Sequence, residues 1–376
     1  MSKNSSNAYL QKKSKLRVLL IALEYTYWGV ARHQSYASYL GLEEGFYANG
    51  VEFFTITTPW LNRAKEICAG KKFDQVWVEL FHSPPDEAWM EWLSSVAPVR
   101  LGLVSESIWH NSDEYGYQII EKRDSITNWL NYITHLAVSD EKDVEEIKMK
   151  GIVPVIWWTQ AIPERFITDE VAISPENYGV FCGSLAYQER LNWLEHPELQ
   201  GLLIRQSSSE DGTLYPAVFN KLHRAVGIFL KTKLPGETSI LPVYLYLLRH
   251  IRRQCFALWL KQMQIGCAVV QLPTYFKAYS GRVFEGMAAG RPVISWEVPD
   301  RLETKSLFED GKEILLYSPK DPSELGDHIQ RLIKEPDFGK YLVENARRKL
   351  RHFHTVEKRV NQILNWIENG ENPLYY

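Results

Sequence analysis

Residues 280–295 read SGRVFEGMAAGRPVIS. A glycine-containing loop runs into a short helix carrying Arg282, Phe284, Glu285 and Met287; Gly290 ends it, and Pro292-Val-Ile opens an apolar strand. The N–H groups at the start of such a helix lack intrahelical acceptors and suit a phosphate, and the Arg282 guanidinium adds a charged fork. Glu285, one turn in, can accept hydrogen bonds from ribose hydroxyls, as the acidic residue of nucleotide-binding folds does. Loop–helix–strand units are common, so the segment alone marks a phosphate-capable turn and no more.

Outward from it, short apolar runs alternate with helical patterns. In the first half these are LRVLLIAL (16–23), VEFFTI (51–56), QVWVEL (75–80), VRLGLV (99–104), HLAVS (135–139) and VPVIWW (153–158), with a helix around Tyr36, Leu40 and Tyr47 ending near Gly50. In the second half they are GVFCGS (179–184), LQGLLIR (199–205), GCAVVQL (266–272), RPVISW (291–296) and EILLYS (313–318). Continuous apolar strands alternating with helices predict two parallel, doubly wound α/β sheets, each covered on both faces. Asp321 as N-cap, Pro322 and Glu324 start a helix whose buried stripe is Leu325, Ile329, Leu332 and Ile333. Thr355 and Gly370 bracket another. The predicted organisation is a first Rossmann-like domain over 1–165, a linker over 166–178, a second Rossmann-like domain over 179–354, and a closing helix over 355–376 that packs back toward the first. Open α/β sheets take ligands at the carboxyl ends of their strands, so two of them predict a cleft.

Composition narrows the function. A chain of 376 residues with a net charge of −3 has no electrostatic excess for nucleic acid, and none is expected as a partner. Cys68, Cys182, Cys255 and Cys267 are scattered without a Cys-x-x-Cys pair, which gives neither a disulfide framework nor a zinc site. The polar, basic start and the short apolar run at 16–23 fit neither a signal peptide nor a membrane span, so a cytoplasmic protein is expected. Thirteen Trp and twenty Tyr can face sugar rings, but filling the cores is their ordinary use. The stretch 216–262, with 241–262 as its candidate membrane-facing part, is apolar, aromatic and locally basic through Arg249, His250, Arg252 and Arg253. It reads first as a buried helix whose basic end faces solvent or a phosphate-bearing substrate, and second as a peripheral contact with an anionic membrane.

RVFEGMAAGRPVIS resembles the signature of the group 1 glycosyltransferases, most closely the branch typified by the spore-maturation protein CgeB. FCGSLAYQERLNWL (181–194) is similar to the opening strand and helix of that family's second domain. LFEDGKEILLYSPKDPSELGDHIQRLI (307–333) resembles the region after its donor site, and HFHTVEKRVNQIL (352–364) its closing His-Thr-x-x-x-Arg helix. The likeness spans 179–365 and is weak over the first domain. It implies a GT-B architecture with no metal and no bound cofactor, a nucleoside-diphosphate sugar serving as co-substrate. By position, Glu285 would hold the ribose, Arg282 and the loop at Lys277, Tyr279 and Gly281 would face the donor phosphates, and Gly183 and Ser184 would let the backbone approach them. Arg190 is a further cationic candidate, or an exposed helix charge. Many members carry a second glutamate eight positions earlier, where this chain has Lys277, so the sugar stays open.

In the first domain the resemblance places a loop at Gly29 near the cleft. The loop after VRLGLVSES offers Glu106, His110, Asp113 and Glu114 at a strand's carboxyl end. An inverting enzyme needs a general base there, and Glu106, His110 or Asp113 would supply it; a retaining enzyme needs none. The bland alternative is a polar surface loop with Asp113 as a helix cap. The acceptor stays open between a glycan, a lipid-linked sugar, a small molecule and a protein. Two other readings remain on the same scaffold: an epimerase- or phosphorylase-like enzyme, and a non-catalytic binding protein. A nicotinamide dehydrogenase is disfavoured, because no Gly-x-Gly-x-x-Gly follows the first strand.

Overall fold

The computed structural model describes residues 15–22, 41–80, 86–109, 126–169, 175–183, 185, 188–206, 240–274 and 276–376. Six strands form one sheet: β1 (Arg17–Ala22), β2 (Glu52–Thr57), β3 (Gln75–Glu79), β4 (Val99–Val104), β5 (His135–Val138) and β6 (Val155–Trp157). Their order is β2-β1-β3-β4-β5-β6. Five more form a second sheet in the order β11-β10-β9-β7-β8: β7 (Glu176–Phe181), β8 (Leu203–Arg205), β9 (Gly266–Gln271), β10 (Val293–Trp296) and β11 (Leu315–Tyr317). Every pairing between these strands is parallel. Strands such as β3 and β9 are buried along their whole length, which is why they read as unbroken apolar runs. Both sheets reverse direction once, between β1 and β3 and between β7 and β9. Ligands of open sheets bind at such a switch point.

The helix starts follow local chemistry. Asp321 accepts from the N–H groups of Ser323 (3.0 Å) and Glu324 (3.4 Å) and caps Pro322–Lys334. Glu324, however, reaches back to the N–H of Ser318 at 2.6 Å, closing the loop after β11. Thr355 caps Val356–Asn369, and Gly370, at φ 74°, ends it. LQGLLIR is only partly strand: residues 197–199 form a 3₁₀ turn, and the strand begins at Leu203.

Among the contacts that join the two halves in the described residues, three decide how they pack. The Val356–Asn369 helix lies directly on the Leu42–Ala48 helix of the first, where a Cβ on Gly45 would come 2.7 Å from the Val356 carbonyl oxygen. Arg359 of that helix is fully buried, donates to Thr159 Oγ1 at 2.7 Å, and lies 4.1 Å from the Tyr375 ring; burial pushes its guanidinium down to about 10.

The second contact corrects the sequence reading of 241–262. The basic end of the Leu241–Met263 helix faces acids of the first sheet's helices. Arg249 grips Glu43 through two bonds of 2.5 and 2.7 Å, Arg253 lies 3.6 Å from Glu44, and Arg252 is buried. Less positive charge is therefore left for an anionic surface, while Val243, Tyr246 and His250 stay exposed. Among the described residues no helix is long and apolar enough to cross a membrane.

The third contact fixes how the sheets face. Asp140, after β5, and Arg301, after β10, are each 1% exposed and form a two-pronged pair, Nε–Oδ1 2.8 Å and Nη2–Oδ2 2.9 Å. Beside them Glu141 Oε2 accepts from the Thr304 N–H at 3.1 Å. The carboxyl ends of the two sheets are therefore turned toward each other.

Arg301→Met leaves Asp140 buried without its cation, and the expected loss is about 3–5 kcal/mol of stability. Urea unfolding checks it; a loss below about 1 kcal/mol would contradict the buried latch. Burial also pushes the Glu141 carboxyl up to about 7. The folded chain then holds more protons than the unfolded one between about pH 4.5 and 7, so this group's contribution falls as pH rises through that window. Glu141→Gln should flatten that part of the melting-temperature profile, and parallel profiles would refute it.

Candidate active site

β9 ends at Gln271 and leads through residues 272–280 into the Gly281–Ala288 helix. Ser280 Oγ accepts from the Arg282 N–H at 3.3 Å and donates to Gln271 Oε1 at 3.1 Å, tying the helix start to the strand end. Gly286 lets the helix lie on the sheet, since a Cβ there would stand 2.9 Å from both Val269 and Val293. The apolar face of Val283, Phe284 and Met287 is buried, so the helix has one permitted rotation.

That rotation turns Glu285 inward, where it is 0% exposed. Its Oε2 accepts from Arg282 Nη1 at 2.8 Å and from Trp259 Nε1 at 2.9 Å, while Oε1 has no partner. Arg282 Nε donates to the Cys182 carbonyl at 2.9 Å, and its guanidinium lies 4.7 Å from the Trp259 ring. Carboxylate, guanidinium and indole thus lock the helix to the end of β7, leaving the Arg282 side chain 22% exposed.

The neighbouring candidates gather at the switch point between β7 and β9. Arg190 donates to the Pro273 carbonyl at 3.3 Å and lies 5.5 Å from the Phe181 ring, so it is not a loose surface charge. Gly183 sits against the Phe181 ring, which a Cβ would meet within 2.8 Å. Lys277 is half-buried in the loop after β9. Tyr279 is buried 6.0 Å from the Phe308 ring, and burial raises its hydroxyl above the usual phenol range. Gln271 Nε2, Thr274 Oγ1 and the Tyr279 hydroxyl share with Glu285 Oε1 the condition of being buried without a hydrogen-bond partner. Buried polar atoms are nearly always paired; these four lie along 271–285, and others elsewhere, such as Thr57 Oγ1 and Trp60 Nε1, are in the same state.

On the facing sheet, Glu106 lies half-buried after β4. The turn behind it is pinned by buried Asp143, which accepts from Ser107 Oγ and the Trp109 N–H at 3.0 Å each and from the Ile108 N–H. Burial and the neighbouring Asp140 charge raise the Asp143 carboxyl above its usual range. Gly29, His110, Asp113, Glu114 and Ser184 lie outside the described residues. Among the described residues no three His, Cys, Asp or Glu side chains gather as a metal-binding group.

Trp259, Asp143 and the Asp140–Arg301 pair were not singled out by sequence reasoning. Asp140 and Asp143 do stand where acids favour a helix start. Nothing in the sequence marks Trp259 apart from other core aromatics.

The family described as glycosyl transferase-like matches residues 243–365, about a third of the chain. No curated protein matches the chain in sequence. Among solved structures, sucrose-phosphate synthase from Thermosynechococcus elongatus superposes with a TM-score of 0.60 at 12% identity, over 94% of this chain and 98% of its own. An E. coli structure described as trehalose-6-phosphate, bound with UDP-2-fluoro glucose, gives 0.53 at 9% identity over 95% and 100%. Anabaena HepE in complex with UDP-glucose gives 0.50 at 11% identity over 94% and 99%. The architecture is GT-B. Its second sheet carries the glycosyl transferase-like segment, and the locked Arg282–Glu285–Trp259 group lies within it.

Trp259→Phe keeps most of the packing but removes one of the two hydrogen bonds on Glu285 Oε2. A loss of about 1–3 kcal/mol is expected, larger than for a neutral surface change, because the carboxylate stays buried. Thermal unfolding measures it, and an unchanged midpoint would show that the indole N–H does not hold Glu285.

Proposed function

We propose that the protein is a glycosyltransferase that moves a sugar from a nucleoside-diphosphate sugar to an acceptor, with retention of configuration and without a metal. The observation that carries this is Glu285: a fully buried carboxylate with one oxygen held by Arg282 and Trp259 and the other unpartnered, beside a capped helix start. That oxygen suits ribose hydroxyls, and the N–H groups at Gly281 with Arg282, Arg190 and Lys277 suit the diphosphate. UDP is the proposed nucleotide; the UDP-sugars bound to the E. coli and Anabaena structures of this fold support it.

In this reading residues 1–165 take the acceptor, 166–178 link, 179–354 hold the donor, and 355–376 fasten the second domain to the first. The bond from the sugar's anomeric carbon to the diphosphate oxygen breaks, and a bond from that carbon to the acceptor oxygen forms. The acceptor proton passes to the departing phosphate, whose charge the helix start and the cations stabilise. Glu106, His110 or Asp113 takes that proton instead if the outcome is inversion. The proposal extends to the CgeB-like branch and to a cytoplasmic protein, with 241–262 touching a membrane through Val243 and Tyr246.

One observation favours a second reading. Arg282 already pairs with Glu285, which also suits a structural clasp in a non-catalytic protein that keeps the fold. Calorimetry with UDP, GDP, TDP and ADP, extended to hydrolysis of the intact sugar nucleotides, separates the two. UDP should bind, Glu285→Ala should weaken it at least tenfold, and Arg282→Ala should lower turnover. No binding of any of the four by the wild type would end the leading reading.

A further inference from the structure

A cavity of about 340 Å³ lies at the other end of the second sheet, where β9 and β10 begin. Cys267, the second residue of β9, and Arg291, two residues before β10, form its floor. Lys340, Glu344 and Arg347 wall it from the Pro336–Phe353 helix, at positions four and seven apart on one face. Asp169, from the segment joining the two sheets, closes one side. β9 is six residues long, so this cavity is roughly 20 Å from the Gly281 loop.

Its charges are arranged for an anion. Arg291 is only 8% exposed, and its Nε donates to the main-chain carbonyl of Gln264 at 2.9 Å. Arg347 donates through Nη1 to the carbonyl of Asp169 at 2.8 Å, while its Nε is buried with no hydrogen-bond partner. These bonds are made to neutral acceptors. Of the lining carboxylates, Asp169 is shared between Arg347 and Arg351, which it meets at 2.5 Å, and Glu344 is exposed and acts on Arg347 from the solvent side. Lys340 adds an ammonium at the rim, 2.8 Å from Asp337. Burial and the nearby Arg347 charge both hold Arg291 below the usual guanidinium range. Two guanidiniums bordering one cavity match the oxygens of a phosphate, and the volume leaves room for a small carbon skeleton.

We propose that this cavity is a second ligand site, binding the phosphate group of a small phosphomonoester or free phosphate between Arg291 and Arg347. The proposal draws on nothing in the donor-type site, so the two stand or fall separately. The test is calorimetric titration of the full chain with inorganic phosphate and with glucose 6-phosphate, at ionic strength held constant with potassium chloride. One saturable site per chain is expected. Arg347→Gln should weaken it at least tenfold, Lys340→Gln should weaken it several-fold, and Arg282→Gln should leave it unchanged. Arg347 is half-exposed, and an unchanged melting temperature without phosphate would show that its variant is folded; if it is not, Lys340→Gln decides. Tighter binding of the sugar phosphate identifies a phosphorylated small molecule, and equal binding identifies free phosphate. Absence of saturable heat in the wild type, full binding by both Arg347→Gln and Lys340→Gln, or loss of binding in Arg282→Gln alone would overturn the proposal.

Discussion

Asp140 and Arg301 meet by two short hydrogen bonds in a place water does not reach. Neither charge would be tolerated there alone, because each has lost its hydration; each recovers part of it from the other and part from backbone groups, the Lys142 N–H on Asp140 and the Asp300 carbonyl on Arg301. The pair stands at the carboxyl ends of β5 and β10, so it sets the facing of the two sheets and the cleft between them. Its neighbours share the task. Glu141 takes a backbone N–H of the segment following Arg301, and Asp143 turns inward to hold the loop that carries Glu106. One acidic helix start thus fixes both the joint between the sheets and one wall of the cleft.

The opposite wall rests on a second buried charge. The Gly281–Ala288 helix is seated by Gly286, capped by Ser280 and rotated by its apolar face, and Glu285 is consequently driven into the interior. There it is held by Arg282 and Trp259, while one oxygen is left over. Gln271, Thr274 and Tyr279 nearby carry the same unmet capacity. In the proposed function this unmet capacity is met by a polar ligand. The Leu241–Met263 helix links the two walls, since Trp259 steadies Glu285 while Arg249 grips Glu43 on the first sheet's side.

Much of this was legible in the chain itself. Strands buried on both faces announce themselves as apolar runs, and Asp321, Thr355 and Gly370 mark helix ends because capping is a local event. The Gly281–Glu285 segment was visible for the same reason, its parts being contiguous. What stayed hidden is non-local. Trp259 is 26 residues from Glu285, Asp140 is 161 from Arg301, and Arg249 is 206 from Glu43. No periodicity relates such pairs, so the basic run at 249–253 suggested solvent or a membrane when its partners were acids on another helix. Glu324 likewise stands where a capping box wants an acid, but its carboxylate closes the preceding loop.

In the proposed function, Glu285 and the Gly281 helix start form the nucleotide-binding half of a GT-B cleft. A crystal structure of the protein soaked with UDP tests it most directly. A ribose hydroxyl is expected within about 2.6–3.2 Å of Glu285 Oε1, with the diphosphate over the first N–H groups of the helix. UDP bound elsewhere, with Glu285 still engaging only Arg282 and Trp259, would contradict it.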